Sequence, residues 1–191
     1  KLAPKNPNDI RFVIANGAEC EPYICCDDQL MRNYADEIVG GLKIMLTLFP
    51  NAEGVILIEE NKPEAIAAME KACSGESNIR VHRVVPKYPQ GGERAIMDVV
   101  AGKHIKLGML PADVGCVVDN VATVRAIYRA VCKSEPLMER GFTVSGDAVK
   151  NPCNLIVKIG TSFEEMLEAA GGFKDGVEPE KLLCGGPMMG F

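Results

Sequence analysis

The run Arg11-Phe-Val-Ile-Ala-Asn-Gly-Ala-Glu-Cys-Glu-Pro22 decides how the rest of the chain is read. Residues 11–15 are almost all apolar, the composition of a strand buried on both faces of a parallel sheet. The Asn16-Gly17 pair is a turn signal. The polar residues behind it therefore sit just beyond the carboxyl end of a strand, where open α/β sheets place ligands. Two later segments repeat the arrangement: Tyr88-Pro-Gln-Gly-Gly-Glu-Arg94 follows a strand-like run, and Val117-Val-Asp-Asn-Val-Ala-Thr123 closes another.

Outward from that first strand, strands and helices alternate. Asp27 and Asp28 are candidate N-caps for a helix over residues 29–48, where Leu30, Met31, Tyr34, Ile38, Leu42, Met45 and Leu46 recur at helical spacing. Strand-like runs fall at residues 54–58, 78–85 and 114–118. Helices are expected over 61–73, with Pro63 in the first turn, after Gly92, and over 121–132. Such alternation predicts an α/β fold, a Rossmann-like parallel sheet with helices on both faces. After Pro136 the pattern changes to two strand-like runs at 142–146 and 154–158. A short helix follows, with Ser162 and Glu165 as its capping box, and then a last strand at 181–184. Hairpin, helix and strand in that order make a small β-grasp module. The expected units are residues 1–138 and 139–191.

Composition removes several function classes. The net charge is −5 with scattered basic residues, and there is no Trp, so a nucleic-acid-binding surface is not expected. No apolar stretch is long enough to span a bilayer, and none reads as a signal peptide. The eight cysteines include no C-x-x-C pair, which argues against a local zinc or iron–sulfur site. They read as reduced thiols on the cytosolic side. The chain opens on Lys1 rather than on methionine, as a piece of a longer protein would. His82 and His104 neighbour no nucleophile signature.

The three polar segments suit a cofactor. In an extended stretch Glu19 and Glu21 point to one side and together face a ligand, as acidic residues do toward ribose hydroxyls. Asn16 offers a donor and an acceptor to a flavin-like ring edge. The Gly91-Gly92 pair before a helix exposes backbone N–H groups, although the pattern is neither G-x-G-x-x-G nor a Walker motif. Asp119 is the N-cap candidate of the following helix, with Asn120 and Thr123 in its first turn. Each segment alone also fits an ordinary turn or helix cap.

In chain order, these segments resemble the flavin- and NADH-binding subunit of respiratory complex I. They resemble more closely the RnfC family, the peripheral subunits of the ion-pumping ferredoxin:NAD oxidoreductase (Rnf) complex. Leu110-Pro-Ala-Asp-Val-Gly115, Thr143-Val-Ser-Gly146 and Cys184-Gly-Gly-Pro-Met-Met-Gly190 add to the match, and the tail from Gly141 resembles a soluble-ligand-binding β-grasp (SLBB) module. The resemblance implies FMN held noncovalently with NAD(H) stacked over it. Asn16, Glu19, Asp119, Asn120 and Thr123 would contact FMN, Tyr88 and Gly91 would line its pocket, and Glu21 and Glu93 would face the dinucleotide. It also implies a peripheral protein at the cytoplasmic face of the cell membrane. Its partners would be integral-membrane and iron–sulfur subunits and, indirectly, ferredoxin. The chain carries Ala18 and Gly92 where the complex I subunit has acidic residues. The family's phosphate-wrapping glycine loop is expected before Lys1 and its cluster-binding cysteine runs beyond Phe191, so residues 1–191 alone are expected to be inactive. Two other readings share these motifs: a soluble flavoreductase, such as a cobalamin reductase or a proline-reductase-associated electron carrier, and a non-catalytic scaffold for a ligand or partner.

Overall fold

A computed structural model describes residues 2–191. Four parallel strands, β1 (Phe12–Gly17), β2 (Glu53–Glu59), β3 (Ile79–Val84) and β4 (Cys116–Asn120), lie in the order β3-β2-β1-β4. β1 is central, pairing Asn16 with Leu57 on one side and with Asn120 on the other. The near-continuous apolar runs of β1 and β2 follow from burial on both faces. Val13, Ala15, Ile56 and Ile58 point into one core, and Ile14, Val55 and Leu57 into the other.

The first core is covered by α1 (Cys26–Asn33), α2 (Ala35–Leu46), α3 (Pro63–Cys73) and α5 (Val121–Lys133). The second is covered by the short α4 (Glu93–Ile96), the π-helical turn Met97–Ala101 and the 3-10 turn Pro111–Val114. Burying one such aliphatic side chain contributes about 1.5–3 kcal/mol, so these two layers dominate stability.

Three sequence expectations are corrected. The single helix over 29–48 is two helices, broken at Tyr34 (φ −132°, ψ 34°). The break lets α1 lie against α3 and the second unit while α2 lies against α5. Asn16, Gly17, Asp119 and Asn120 belong to strands, because the ladders run through them to the sheet edge. No strand forms at 181–184. Gly185 and Gly186, at φ +94° and +92°, turn the chain back, and Cys184 exchanges both backbone hydrogen bonds with Phe191 instead. The rest of the second unit follows expectation. β5 (Glu139–Val144) and β6 (Cys153–Lys158) form an antiparallel hairpin. The Ser162–Glu165 capping box opens α6 (Phe163–Ala169).

The α2–α5 contact depends on small residues. A Cβ at Gly41 would overlap the backbone carbonyl of Val124, whereas one at Gly40 would meet the ring of Tyr128. A backbone carbonyl in a packed helix cannot yield, but a ring can turn. Overpacking costs about 1–3 kcal/mol, against a helix-propensity gain of about 0.8–1 kcal/mol for replacing glycine by alanine. Gly41→Ala should therefore lower the urea unfolding midpoint, and Gly40→Ala should lower it less. Equal midpoints for the two variants would refute this account of the contact.

Candidate functional site

From β1 the chain moves to β2 on one side, while β4 joins on the other, so the order of the sheet reverses between β1 and β4. Ligands of open α/β sheets bind outside the carboxyl ends at such a point. Asn16 and Asn120 are register partners there.

Asn16 joins two of the polar segments. Its Oδ1 accepts the N–H of Ala18 at 3.1 Å, and its Nδ2 donates to the carbonyl of Gly91 at 3.0 Å. The N–H of Gly91 in turn donates to Cys20 Sγ at 3.3 Å. A Cβ at Gly91 would lie 2.5 Å from the Ala18 carbonyl oxygen, so only glycine allows this approach.

Glu19 joins the first segment to α1. The N–H groups of Asp27 and Asp28 donate to its two oxygens at 2.9 and 3.2 Å. These are orphan donors of a helix start, which a carboxylate satisfies well. Asp27 and Asp28 are therefore not caps but the first turn itself, and Cys25 at the N-cap position makes no side-chain cap bond. Burial raises the pKa of Glu19, against the pull of these N–H groups. The Cys26 thiol donates to Glu19 Oε1 at 3.5 Å and is pushed up to about 12, by burial first and then by the charges of Asp27 and Glu19. Asn120 completes the chain of contacts. Its Oδ1 caps α5 through Ala122 N–H at 2.8 Å, and its Nδ2 donates to Asp27 Oδ2 at 2.6 Å. Asn120, not Asp119, is thus the N-cap. Burial raises the pKa of Asp27, and the Asn120 bond opposes it.

Glu19, Cys26 and Asp27 bring ligand atoms within 4.8 Å of one another. With a protonated thiol and both Glu19 oxygens receiving helix N–H groups, the cluster is wired as a cap.

Glu21 does not share a face with Glu19, contrary to the extended-stretch expectation. It turns to the tail, accepting the N–H groups of Met188 and Met189 on Oε1 at 2.6 and 3.3 Å. Tyr88, 38% exposed, lies near enough to Glu21 and Cys20 for their charges to add to desolvation in raising its phenol pKa. Glu93 opens α4, two residues after Gly91, and is exposed. Asp119 is half-buried opposite Ala15, and Thr123 is half-buried in the first turn of α5.

The second unit reaches the same loop. Cys25 N–H donates to Thr143 Oγ1 at 3.1 Å, Ser145 Oγ donates to the Tyr23 carbonyl at 2.7 Å, and Asn154 Nδ2 donates to Cys25 Sγ at 3.2 Å. A cavity of about 330 Å³ between α1 and the β5–β6 hairpin is lined by Gln29, Asn33, Tyr34, Gly141 and Ile156, among others. None of its lining residues is an expected site residue.

A flavin ring edge alternates donors and acceptors, and the sheet edge supplies both. Glu19 Oε2 keeps a lone pair beyond its one helix bond, the exposed Asn120 amide lies beside it, and Gly91-Gly92 brings backbone close. The residues present fit such a ring. Asp27, Cys20 and the tail amides are partners that periodicity and motif spacing did not reveal, since they meet the site only across the fold.

Comparison with known proteins agrees with this fold. Residues 1–129 match the Nuo51 FMN-binding domain and residues 142–191 the SLBB domain. The chain is 44% identical over its whole length to the C subunit of the proton-translocating ferredoxin:NAD(+) oxidoreductase complex of Clostridium ljungdahlii, and spans 41% of that protein. It is 40% identical over 190 residues to the C subunit of the Na(+)-translocating ferredoxin:NAD(+) oxidoreductase complex of Acetobacterium woodii, spanning 42% of it. Among solved structures, an NAD+-reducing nickel–iron hydrogenase in the H2-reduced state superposes with a TM-score of 0.72 at 21% identity. That match covers 87% of this chain and 34% of the hydrogenase chain, and it shows the fold.

If Glu19 caps α1, Glu19→Ala leaves two partly buried N–H groups without an acceptor and should cost about 1–3 kcal/mol. Glu19→Gln keeps one carbonyl acceptor and should cost less. Denaturant unfolding measures both, and an Ala variant as stable as the wild type would remove the capping role.

Proposed function

We propose, from the premise that this chain belongs to the Nuo51 FMN-binding domain family and continues into an SLBB domain, that it is the flavin- and dinucleotide-binding part of an electron-transfer subunit. The whole protein would belong to a membrane-associated, ion-translocating ferredoxin:NAD oxidoreductase complex, as the names of its relatives suggest. The observation that supports this reading most is the Asn16–Gly91 hydrogen bond beside the Glu19–Asp27–Asn120 chain of hydrogen bonds, at the point where the strand order reverses. That edge is where this class of sheet holds nucleotides.

On this reading Asn16, Glu19, Asp119, Asn120 and Thr123 face FMN, Tyr88 and Gly91 line its pocket, and Glu21 and Glu93 face NAD(H). Bound FMN supplies the hydride and single-electron chemistry, and the protein supplies orientation and electrostatics. Asn16 fixes the distance between the first loop and the Gly91 turn. Glu19 holds the first turn of α1 while keeping acceptor capacity toward the ring. The unit boundary is placed near residue 138, and the iron–sulfur clusters that take the electrons onward lie outside this stretch. No helix of the described residues is long and apolar enough to cross a membrane. The protein is then held at the cytoplasmic face by integral-membrane partners.

A scaffold that keeps this fold without flavin has one observation in its favour: Asn16, Glu19 and Asn120 all have protein partners already. Flavin content of the purified full-length protein separates the two, since a colourless protein that takes up no added FMN fits only the scaffold.

Two outcomes follow from the assignment. In the full-length protein, Glu21→Gln and Glu93→Gln should weaken NADH binding by roughly ten- to a hundredfold, the effect of losing a charge-assisted hydrogen bond. Bound FMN should be retained, and loss of flavin on purification would reverse the assignment. The full-length protein should also fractionate with membranes when its partner subunits are co-produced and stay in the supernatant when made alone. Membrane association in a host without those partners would contradict the peripheral placement.

A further inference from the structure

The loop of residues 184–191 comes from the second unit, yet it ends against Glu21. It is closed on itself by the two bonds between Cys184 and Phe191, at 3.1 and 3.2 Å, and by Gly190 N–H donating to the Gly186 carbonyl at 3.0 Å. Gly185 and Gly186 take the left-handed backbone that such a reversal needs. The reversal aims the N–H groups of Met188 and Met189 at one carboxylate oxygen, Glu21 Oε1. A Cβ at Gly186 would overlap the Glu21 side chain, so the loop comes as close as bare backbone permits. Both donors end on Oε1. A carboxylate has about four acceptor positions, and among the described residues none donates to Oε2, which is left to accept from something else.

We propose that this loop positions Glu21 for the dinucleotide. Two backbone N–H groups hold Oε1 and fix the side-chain rotamer, and Oε2 is presented to a hydroxyl-bearing ligand such as a ribose diol. Gly186 is then a positioning residue that acts through Glu21 without touching the ligand. This proposal rests on the reading of Glu21 as a dinucleotide-side carboxylate. It adds that the second unit must be docked on the first for the dinucleotide to bind well. Without the loop, Glu21 would sample several rotamers and lose that freedom on binding, which lowers affinity.

The test uses the full-length protein and reads three quantities: the NADH dissociation constant by calorimetry, flavin per chain by absorbance, and hydrogen exchange at the Met188 and Met189 amides. Gly186→Ala should raise the dissociation constant roughly tenfold, in line with loss of a charge-assisted contact. Flavin content and turnover at saturating NADH should not change, and the two amides should exchange faster. Met188→Pro, which deletes the 2.6 Å donor and sets a ring methylene where its N–H met Glu21 Oε1, should act in the same way if the Ala variant does not fold. In the wild type, NADH should slow exchange at both amides. A variant with faster amide exchange and an unchanged or tighter NADH affinity overturns the positioning role alone. A wild type that keeps flavin but binds no NADH overturns the reading of Glu21 and the proposal with it.

Discussion

The carboxylate of Glu19 on the first turn of α1 is the contact around which the site is arranged. A helix start leaves N–H groups with no partner inside the helix, and here two of them are partly buried. Glu19 satisfies both from eight and nine residues upstream. That bond fixes the path of residues 18–25, which have no regular structure once β1 ends. The same stretch, with Asn16 at its head, bonds to Gly91, to Thr143, Ser145 and Asn154 of the second unit, and to the tail amides. The Gly91 turn, the second unit and the tail thus all meet one loop. Hydrogen bonds of this kind contribute about 0.5–1.5 kcal/mol each, but a buried donor left without an acceptor costs more, so the arrangement is held mainly by the cost of undoing it.

Beneath the loop the sheet is rigid for a different reason. Its two inner strands are packed on both faces, and Gly41 lets α2 and α5 approach to backbone contact. Glu37 of α2 accepts from Arg125 and Lys133 of α5, and Arg125 stacks on Tyr34 at 3.7 Å. Arg129 of α5 bonds both Glu135 and Glu139, the latter at the start of β5. These pairs are partly exposed and contribute modestly. Their effect is on orientation, since α5 is the element that carries Asn120 and Thr123 at one end and reaches the hairpin at the other.

The carboxyl groups at the site illustrate how one residue type takes two tasks. Glu19 is half-buried, and burial raises its pKa while helix N–H groups oppose the shift. Glu21, two residues on, takes tail amides on a single oxygen. An alternation rule for extended chain would put the two side chains together. It fails here because residues 18–22 are not a strand, and the partners that orient each side chain come from α1 in one case and from residues 188 and 189 in the other.

What the sequence determined by itself was the alternation of elements, the parallel sheet with its buried strands, the capping box at Ser162 and the identity of the polar segments at the strand ends. Those are local properties: apolar period and cap residues act over a few positions, as the Ser162–Glu165 box does, whereas the Asn16-Gly17 turn signal gave way to the ladders of β1. The tertiary structure alone decided the break at Tyr34, the capping of α1 by Glu19, the choice of Asn120 over Asp119 as cap of α5, and the loop in place of a final strand. Each of these depends on groups well separated along the chain, such as Asn120 and Asp27 or Glu21 and Met188, or on a neighbouring strand that is missing. Hydrogen bonds and packing between such distant groups leave no period in the sequence, and only the folded chain brings the donor to its acceptor.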